Sequence, residues 1–374
     1  MLTIFILSVG FISVHRASAQ VWTKSSAPSK TWSAVGSSAD GSVLVAAING
    51  SSIYTSTNSG ATWAVSGAPS KGWTAVTASG DGKLLLACAT ASTTPGGVYT
   101  STNAGTTWQS NSVPGNYNWD AVAASANGST LIAGGQVFGP IYYSTNMGAN
   151  WRSNGIPTGY WTSVVTSADG TKLAAEWSGV IYTSTNSGVT WTNYNTSFGT
   201  VIACSGDGGQ LLLVSGSLLY LSTNWGATWT SKTLPISTST YGVSADAKRV
   251  VVAASSAISL STNLGTSWTA SYAPTRNWKS VALSADGSRL VAVVNSSTDG
   301  IYLWQPPSLI ITNSGSNLAL LWPTNGTAFY LQTNADLMTT NWGMVTDLPT
   351  VTNSLNQIIV SPTNSGAFFR LISQ

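Results

Sequence analysis

The chain has 374 residues, of which 43% are hydrophobic and only 7% are charged. Its 14 Lys and Arg residues against 11 Asp and Glu residues give a formal net charge of +3, which excludes a basic surface of the kind that binds nucleic acid. Low charge with abundant Ser, Thr, Asn and Gly is typical of an exported β protein, because its strand faces and turns are polar without being ionised.

The first predicted element is an apolar N-terminal segment. Residues 1–14 are largely apolar, and Ala17-Ser18-Ala19 forms the small-x-small pattern at which signal peptidase cleaves. The alternative is an uncleaved anchor, but the apolar run is shorter than the roughly 20 residues that a membrane-spanning helix needs. We therefore predict a signal peptide over residues 1–19, no transmembrane span in the mature chain, and a secreted or cell-surface protein.

Removal of this segment would take away the only histidine of the chain, His15. The mature chain then lacks histidine-based catalytic triads, histidine general bases and the common zinc sites. Cys88 and Cys204 have no CxxC partner, so we expect isolated buried thiols rather than a disulfide or a metal site. The sequence predicts no metal and no cofactor.

An octapeptide ending in Trp recurs through the middle of the chain. Its starts are separated by 45, 43, 40, 38 and 39 residues, which is the length of one four-stranded propeller blade. The copies are STNSGATW (56–63), STNAGTTW (101–108), STNMGANW (144–151), STNSGVTW (184–191), STNWGATW (222–229) and STNLGTSW (261–268).

A second repeated element has the pattern of a hairpin, in which two apolar strands flank a turn of the S-A-D-G type. Runs such as IYTSTN then supply a third strand, and the segment after each octapeptide Trp supplies a fourth. The last unit stops at residue 304 without an octapeptide, whereas residues 21–32 parallel residues 62–73. The N-terminal segment is therefore predicted to complete the last blade. The hairpins lie at 32–47, 73–88, 119–134, 161–176, 200–214, 241–253 and 278–293.

The octapeptide pattern S-x-N-x-G-x-T-W resembles the Asp-box, or BNR repeat, with Asn in place of the usual Asp. That repeat occurs in sialidases, xyloglucan-active cellobiohydrolases, sortilin-type receptors and a photosystem II assembly factor. The resemblance covers about three quarters of the chain and implies an all-β fold, a seven-bladed β-propeller of the sialidase-like superfamily, over residues 20–305. It is specific for fold and weak for function.

We expect the octapeptide to be scaffold, because equivalent copies around a ring cannot all serve one site. Its Asn should bond backbone groups two residues on, its Gly should take a positive φ, and its Trp should pack between neighbouring sheets. These structural residues are Asn58, Gly60, Trp63, Asn103, Gly105, Trp108, Asn146, Gly148, Trp151, Asn186, Gly188, Trp191, Asn224, Gly226, Trp229, Asn263, Gly265 and Trp268.

The tail, residues 306–374, lacks the repeat and follows Pro306-Pro307, which marks a linker. Alternating segments at 318–322, 329–333, 357–361 and 368–372 predict a small antiparallel β-sandwich. The tail resembles the fibronectin-III-like modules that end many secreted bacterial proteins.

The S-A-D-G turns and the octapeptides should lie at one end of the ring, here the turn face, because successive strands alternate in direction. The other connections, here the loop face, carry the irregular loops in which binding function usually sits. Aromatic rings among polar residues suit sugars or peptides, with inter-blade packing as the alternative. The candidate ligand-binding residues are Tyr117, Phe138, Tyr160, Trp177, Tyr194, Phe198 and Arg276.

Catalysis has limited support in the sequence. Sialidase activity implies an arginine cluster, but only Arg276 belongs to the loop face. Most aspartates occupy the repeated turn, whereas Asp120 and Glu176, the only glutamate, depart from the repeat on adjacent blades. They are the candidate acid and base of a glycoside hydrolase, whose mechanism needs two nearby carboxylates. The alternative is that both are solvated or hydrogen-bonded within the scaffold.

The sequence thus favours a secreted, monomeric, non-catalytic recognition propeller whose ligand is a glycan or an extracellular protein. Two alternatives stay open. One is a glycoside hydrolase that uses Glu176 and Asp120, and the other is an assembly factor for another exported protein.

Overall fold

The structure is a computed structural model, and it describes fifteen segments of the chain. They contain β-strands and turns and no helix, so none of them includes a helix that would cross a membrane. The described residues are 2–7, 15–17, 21–90, 96–113, 117–136, 139–153, 156–196, 200–238, 240–305, 310–314, 317–323, 329–334, 342–352, 355–361 and 367–373.

The chain divides into two compact units, Lys24–Leu303 and a second unit formed by Met1–Thr23 with Trp304–Gln374. Three strands lie near the N-terminus: β1 (Leu2–Leu7), β2 (His15–Ala17) and β3 (Val21–Lys24).

The larger unit repeats one antiparallel pattern, in which four consecutive strands form a sheet in chain order. The first two sheets contain β4 (Trp32–Ser37), β5 (Leu44–Ser51), β6 (Ile53–Ser56) and β7 (Ala64–Val65), then β8 (Lys71–Ala78), β9 (Leu85–Thr90), β10 (Gly97–Ser101) and β11 (Gln109–Ser110). The end of β5 also pairs with the start of β8, so these two groups of four strands are joined in one eight-stranded sheet. The next two contain β12 (Asn118–Ala124), β13 (Leu131–Gln136), β14 (Ile141–Ser144) and β15 (Arg152–Ser153), then β16 (Ser163–Thr166), β17 (Leu173–Trp177), β18 (Val180–Ser184) and β19 (Thr192–Asn195).

Two further sheets follow the same order, and a last one is completed from the N-terminal side. They contain β20 (Thr200–Cys204), β21 (Leu211–Ser215), β22 (Leu218–Ser222) and β23 (Thr230–Thr233), then β24 (Thr240–Val243), β25 (Val250–Ala253), β26 (Ile258–Ser261) and β27 (Thr269–Ala270). The last sheet has β28 (Trp278–Leu283), β29 (Leu290–Val294) and β30 (Ile301–Gln305), with β3 in the fourth position. Just after β3, Ser25 N donates to Ile301 O at 2.8 Å.

The first strands of the sheets form a closed inner ring. Each of β4, β8, β12, β16, β20, β24 and β28 contacts the next, and β28 contacts β4. Five of these strands have a Trp within two residues of their start, here the leading Trp, and each of these Trp residues is at most 1% exposed. Each such Trp packs edge-on against a Tyr of the third strand, with ring centroids 5.2 to 5.9 Å apart, so the largest side chains fill the sheet interfaces. The pairs are Trp32–Tyr54, Trp73–Tyr99, Trp119–Tyr142, Trp161–Tyr182 and Trp278–Tyr302.

The octapeptide is a hydrogen-bonded turn between the third and fourth strands. Asn58 Oδ1 accepts from Thr62 N at 2.9 Å. The Asn thus bonds the backbone four residues further along the chain, whereas the sequence predicted a bond two residues along. Gly60 has φ of 85°, and its N–H donates to Ser56 Oγ at 2.9 Å. Trp63 packs on a core cluster shared by the first and last sheets. The other octapeptide tryptophans, each against a similar cluster, are Trp108, Trp151, Trp191, Trp229 and Trp268.

A cycle of backbone hydrogen bonds, which we call the collar, joins the S-A-D-G turns. Each turn donates to the next over 2.6 to 2.8 Å, and the last returns to the first through Ala285 N and Ala39 O. In the same part of the molecule Ser59 N donates to Ser42 O, so the octapeptide lies beside the hairpin turn on the turn face, as predicted. The collar bonds are Ala39 N to Gly80 O, Asp81 N to Ala126 O, Ala126 N to Ala168 O, Ala168 N to Gly206 O, Gly206 N to Ala245 O, Ala245 N to Ala285 O and Ala285 N to Ala39 O.

The second unit contains two antiparallel sheets, ordered β31-β32-β36-β35 and β2-β1-β37-β33-β34. β1 lies in the segment that the sequence predicts to be a signal peptide, and its residues Phe5, Ile6 and Leu7 pair with β37 in the second sheet. An apolar run of this length suits either a signal peptide or a buried strand, and cleavage after residue 19 stays a prediction. The strands of the tail are β31 (Ile310–Ser314), β32 (Asn317–Pro323), β33 (Phe329–Asn334), β34 (Gly343–Met344), β35 (Thr350–Thr352), β36 (Leu355–Val360) and β37 (Ala367–Ser373).

Candidate functional site

The candidate site is built on bulges at the start of the inner strands. In β4, β8, β12 and β28 the pairing register shifts at the residue that follows the leading Trp. A bulge adds one residue to one strand and re-aims its side chain. The bulged residues are Ser33, Thr74, Asp120 and Lys279.

Two of these bulged residues show what the scaffold does at this position. Ser33 Oγ lies 3.0 Å from Ala47 O in its own sheet and 3.1 Å from Trp73 O in the next sheet. Thr74 Oγ1 repeats the arrangement, at 3.1 Å from Cys88 O and 2.7 Å from Trp119 O. A hydroxyl donor at the bulge therefore links adjacent sheets.

The other two bulged residues carry opposite charges and line the same cavity. This cavity of about 440 Å³, which we call the inner cavity, also includes Asn49 and Ser280 in its wall. Lys279 is exposed and Asp120 is half-buried. Burial raises the pKa of Asp120, while a hydrogen bond from Gln136 and the charge of Lys279 oppose that rise. Asp120 and Lys279 form no ion-pair contact among the described residues, so both charges face the cavity separately.

Glu176 belongs to a different arrangement of hydrogen bonds. Its carboxylate is 3% exposed, with Oε2 accepting from Thr162 Oγ1 at 2.7 Å and Oε1 accepting from Gly179 N at 2.9 Å. Burial raises the pKa of Glu176, and these two bonds oppose that rise. The negative charge of Glu176 in turn contributes to a raised pKa of Tyr241, whose main cause is burial. Both carboxylate oxygens are therefore used within the scaffold.

Asp120 and Glu176 were candidates for a catalytic pair, and the structure gives them separate partners. Asp120 accepts a hydrogen bond from Gln136 and interacts electrostatically with Lys279, whereas Glu176 accepts from Thr162 and Gly179. Glu176 takes the place that Cys88 has in the second sheet, where the thiol lies 3.3 Å from Thr74 Oγ1.

The aromatic candidates do not form one surface in the part of the chain that is described. Tyr160 is 45% exposed, but Tyr117 packs edge-on against Trp119 at 5.9 Å, and Trp177 lies 6.2 Å from Trp161. Tyr194 is placed elsewhere, because its ring lies against Gly226 of the next octapeptide and so towards the turn face. Phe138 and Phe198 lie outside the described residues.

Arg276, the remaining ligand candidate, is engaged in an ion-pair cluster. Its guanidinium contacts the Asp299 carboxylate and lies 5.8 Å from the ring centroid of Tyr302. Lys24 contacts the same carboxylate at 3.2 Å. The cluster ties Lys24, the last residue of β3, to Asp299, which gives Arg276 a structural partner.

Sequence reasoning missed Lys279 and Gln136, the two partners of Asp120. Lys279 follows a leading Trp as Asp120 does, so alignment of the repeats held a signal for it. Nothing in the repeat marked Gln136, because its contact with Asp120 depends on the cross-strand register.

The cysteines supply no nucleophile at this site. Burial raises the pKa of Cys88 and of Cys204 to about 12, so both thiols stay protonated at neutral pH. Both are unpaired, and the described residues contain no group of three potential metal ligands.

The chain matches no protein-family model, and no curated protein matches it. Solved structures do share its fold. The GH74 enzyme of Niastella koreensis superposes with a TM-score of 0.59 at 15% identity over 88% of this chain, which spans 62% of the length of that enzyme. YCF48 bound to a D1 peptide superposes with a TM-score of 0.59 at 14% identity, over 78% of this chain and 98% of YCF48. YCF48 of Cyanidioschyzon merolae superposes with a TM-score of 0.57 at 15% identity, over 76% of this chain and 98% of that protein.

These neighbours are β-propellers, and their repeated four-stranded sheets match the architecture described above. The chain is therefore all-β and propeller-like. Identity at this level shows the fold alone, because one fold hosts many functions.

Proposed function

We propose that the chain is a secreted, non-catalytic recognition module, a seven-bladed Asp-box propeller of the sialidase-like superfamily followed by a C-terminal β-sandwich. It acts as a monomer and binds a carbohydrate or a protein partner at the loop-face end of the inner ring. The cycle of contacts among seven first strands and the collar of seven turns support the blade number.

One observation carries the proposed binding role. Asp120 and Lys279 replace hydroxyl donors at bulge positions and face one cavity of about 440 Å³. That volume lies within the range of roughly 300 to 1,000 Å³ found for ligand pockets. Charged side chains at positions where neutral donors serve the scaffold are a reason to place recognition there.

The partners of Glu176 support the absence of catalysis. A glycosidase acid or nucleophile needs an oxygen that reaches the substrate, but both Glu176 oxygens are used in the scaffold and the side chain is 3% exposed. The glycoside hydrolase alternative rests on the pair of Glu176 and Asp120 alone, and the likeness to the GH74 enzyme adds only the fold.

A protein partner is the second candidate within this role, and it includes the assembly-factor alternative. YCF48, a propeller of similar fold, has been seen bound to a D1 peptide. The opposite charges in the inner cavity suit a peptide better than an uncharged sugar, because a sugar would leave both charges without a counter-charge.

The experiment uses the full chain, exported and purified, on a glycan array and a peptide array, together with a screen for glycoside hydrolysis. We expect binding of a glycan or a peptide that weakens in Asp120→Asn, and no turnover. Turnover that is lost in Glu176→Gln would replace this proposal with the hydrolase. Binding that is unchanged in Asp120→Asn and Lys279→Gln would move the site away from the inner cavity.

A further inference from the structure

The bulge at Asp120 departs from the scaffold in a way that costs an inter-sheet hydrogen bond. Ala121 pairs with Gly134 in the register in which Ala34 pairs with Ala47, so the group facing the bulge is again a backbone carbonyl. Ser33 donates to such carbonyls, but an ionised carboxylate has no proton to donate. The residue at position 120 therefore weakens the scaffold at a place where Ser or Thr would strengthen it.

Lys279 departs from the scaffold at the equivalent position of the last sheet. The sheets that begin with β4 and β8 stand between it and Asp120 in the inner ring, so the two charges approach the inner cavity from different sides. Their electrostatic interaction opposes the rise that burial causes in the pKa of Asp120, yet they form no ion-pair contact among the described residues. The hydroxyls of Ser33 and Thr74 line the wall between them.

We propose that the inner cavity binds a zwitterion, a molecule that carries both an ammonium and a carboxylate, as a free amino acid or a short peptide does. Asp120 receives the ammonium and Lys279 receives the carboxylate, while Asn49 and Ser280 offer neutral hydrogen bonds between them. This inference rests on the proposed recognition role and names the ligand chemistry of the same site.

Charge pairing disfavours the other ligand classes. A simple anion would pair with Lys279 and leave Asp120 uncompensated, and a simple cation would do the reverse. A half-buried charge such as Asp120 is costly to leave without a partner, and a ligand that covers the exposed Lys279 without pairing it removes the water that solvates its charge. Each of these ligands therefore binds with one unfavourable contribution. A zwitterion pairs both charges at once and adds no net charge to the cavity.

The test is isothermal titration calorimetry of the full chain with trialanine, N-acetyl-trialanine, trialanine amide and free alanine. We expect trialanine or alanine to bind, and each capped form to bind at least tenfold more weakly. Tighter binding of trialanine assigns a short peptide, and equal or tighter binding of alanine assigns a free amino acid. The comparison uses one folded protein, so it does not depend on any variant.

Two variants assign the charges, and one controls for net charge. In Asp120→Asn the preference for trialanine over its N-acetyl form should disappear, and in Lys279→Gln the preference over the amide should disappear. Lys83→Gln removes one positive charge, as Lys279→Gln does, but on the turn face, where Lys83 lies near Asp81. It should leave all affinities unchanged. Near-UV circular dichroism verifies the fold of each variant.

No binding of either uncapped ligand at millimolar concentration, or equal binding of capped and uncapped forms, would overturn the zwitterion site. If a glycan or protein still bound the chain in that case, the recognition role would stand without it. If nothing bound the chain in either experiment, both proposals would fail.

Discussion

Glu176 shows how a residue that stands out in the sequence is absorbed by the scaffold. Its carboxylate accepts from Thr162 and from the backbone of Gly179, which closes the turn between β17 and β18. The pKa of Asp40, one of the turn aspartates, shifts in the opposite direction to that of Glu176. A hydrogen bond from Ser38 lowers the pKa of Asp40, whereas burial raises the pKa of Glu176.

These directions predict the pH dependence of Glu176→Gln. The folded-state pKa of Glu176 is raised, so the folded protein holds a proton that the unfolded chain releases, and stability falls as pH rises above about 4.5 towards neutrality. Gln does not titrate. From pH 4 to pH 7 the free energy of unfolding of Glu176→Gln should therefore rise relative to that of the wild type. Urea denaturation at each pH measures this difference.

Asp40→Asn is the matched control with the opposite sign. The pKa of Asp40 is lowered in the folded state, so its contribution is present above its unfolded pKa, near 3.8, and is lost as pH falls. This variant should lose stability at pH 7 and approach the wild type in acid. A pH-independent difference for Glu176→Gln would contradict the assigned effect of burial.

At the scale of the element, the octapeptide depends on a side chain to which the sequence analysis gave no role. Ser56 is 2% exposed, accepts from Gly60 N and donates to Asn58 Oδ1 at 2.9 Å. The same bond from Gly N to Ser Oγ recurs in all six copies, at 2.8 to 3.0 Å. The first residue of the repeat thus holds its turn from inside.

Ser56→Ala should lower the free energy of unfolding by about 1–3 kcal/mol, because it leaves the buried Gly60 N–H without an acceptor. Thermal and urea unfolding measure the loss. Thr57→Ala, at the exposed neighbouring position, is the control and should stay within about 0.5 kcal/mol of the wild type. Equal effects of the two substitutions would remove the role assigned to Ser56.

At the scale of the whole molecule, the collar joins turns that are far apart in sequence. It requires small residues, because a Cβ at Gly80 would lie 2.9 Å from Ala126 Cα and 3.0 Å from Ala126 Cβ. At Gly206 the corresponding contact, with Ala245 Cβ, is 3.3 Å.

Gly80→Ala should therefore cost about 1–3 kcal/mol of stability through overpacking against the backbone of the next turn. Gly206→Ala is a graded control and should cost less, because its nearest neighbour is a methyl group at a longer distance. Differential scanning calorimetry measures both. The reverse order of the two losses would show that the spacing within the collar does not limit stability.

The repeated strands were predictable because the octapeptide and the hairpin recur with blade spacing, and the structure has strands at those positions. The partners of Asp120 were not predictable from the sequence. Gln136 is brought to Asp120 by the register between strands, and Lys279 is brought near it by closure of the inner ring. Tyr194 was assigned to the loop face from its position after a strand, whereas its ring direction is set by packing on Gly226. Local pattern determines the strands, and long-range contacts determine the site.

The collar also bears on how such a chain can change over generations. A stack of repeats open at both ends can gain or lose a unit and remain folded, provided that its terminal units are capped. Here every turn both donates to one neighbour and accepts from another, and Ala285 returns to Ala39. Loss of a single unit would break two of these bonds and leave a gap that the remaining turns would have to close at a different radius. Repeat number is thus fixed by geometry, while point changes at the bulge positions remain free to alter what the ring binds.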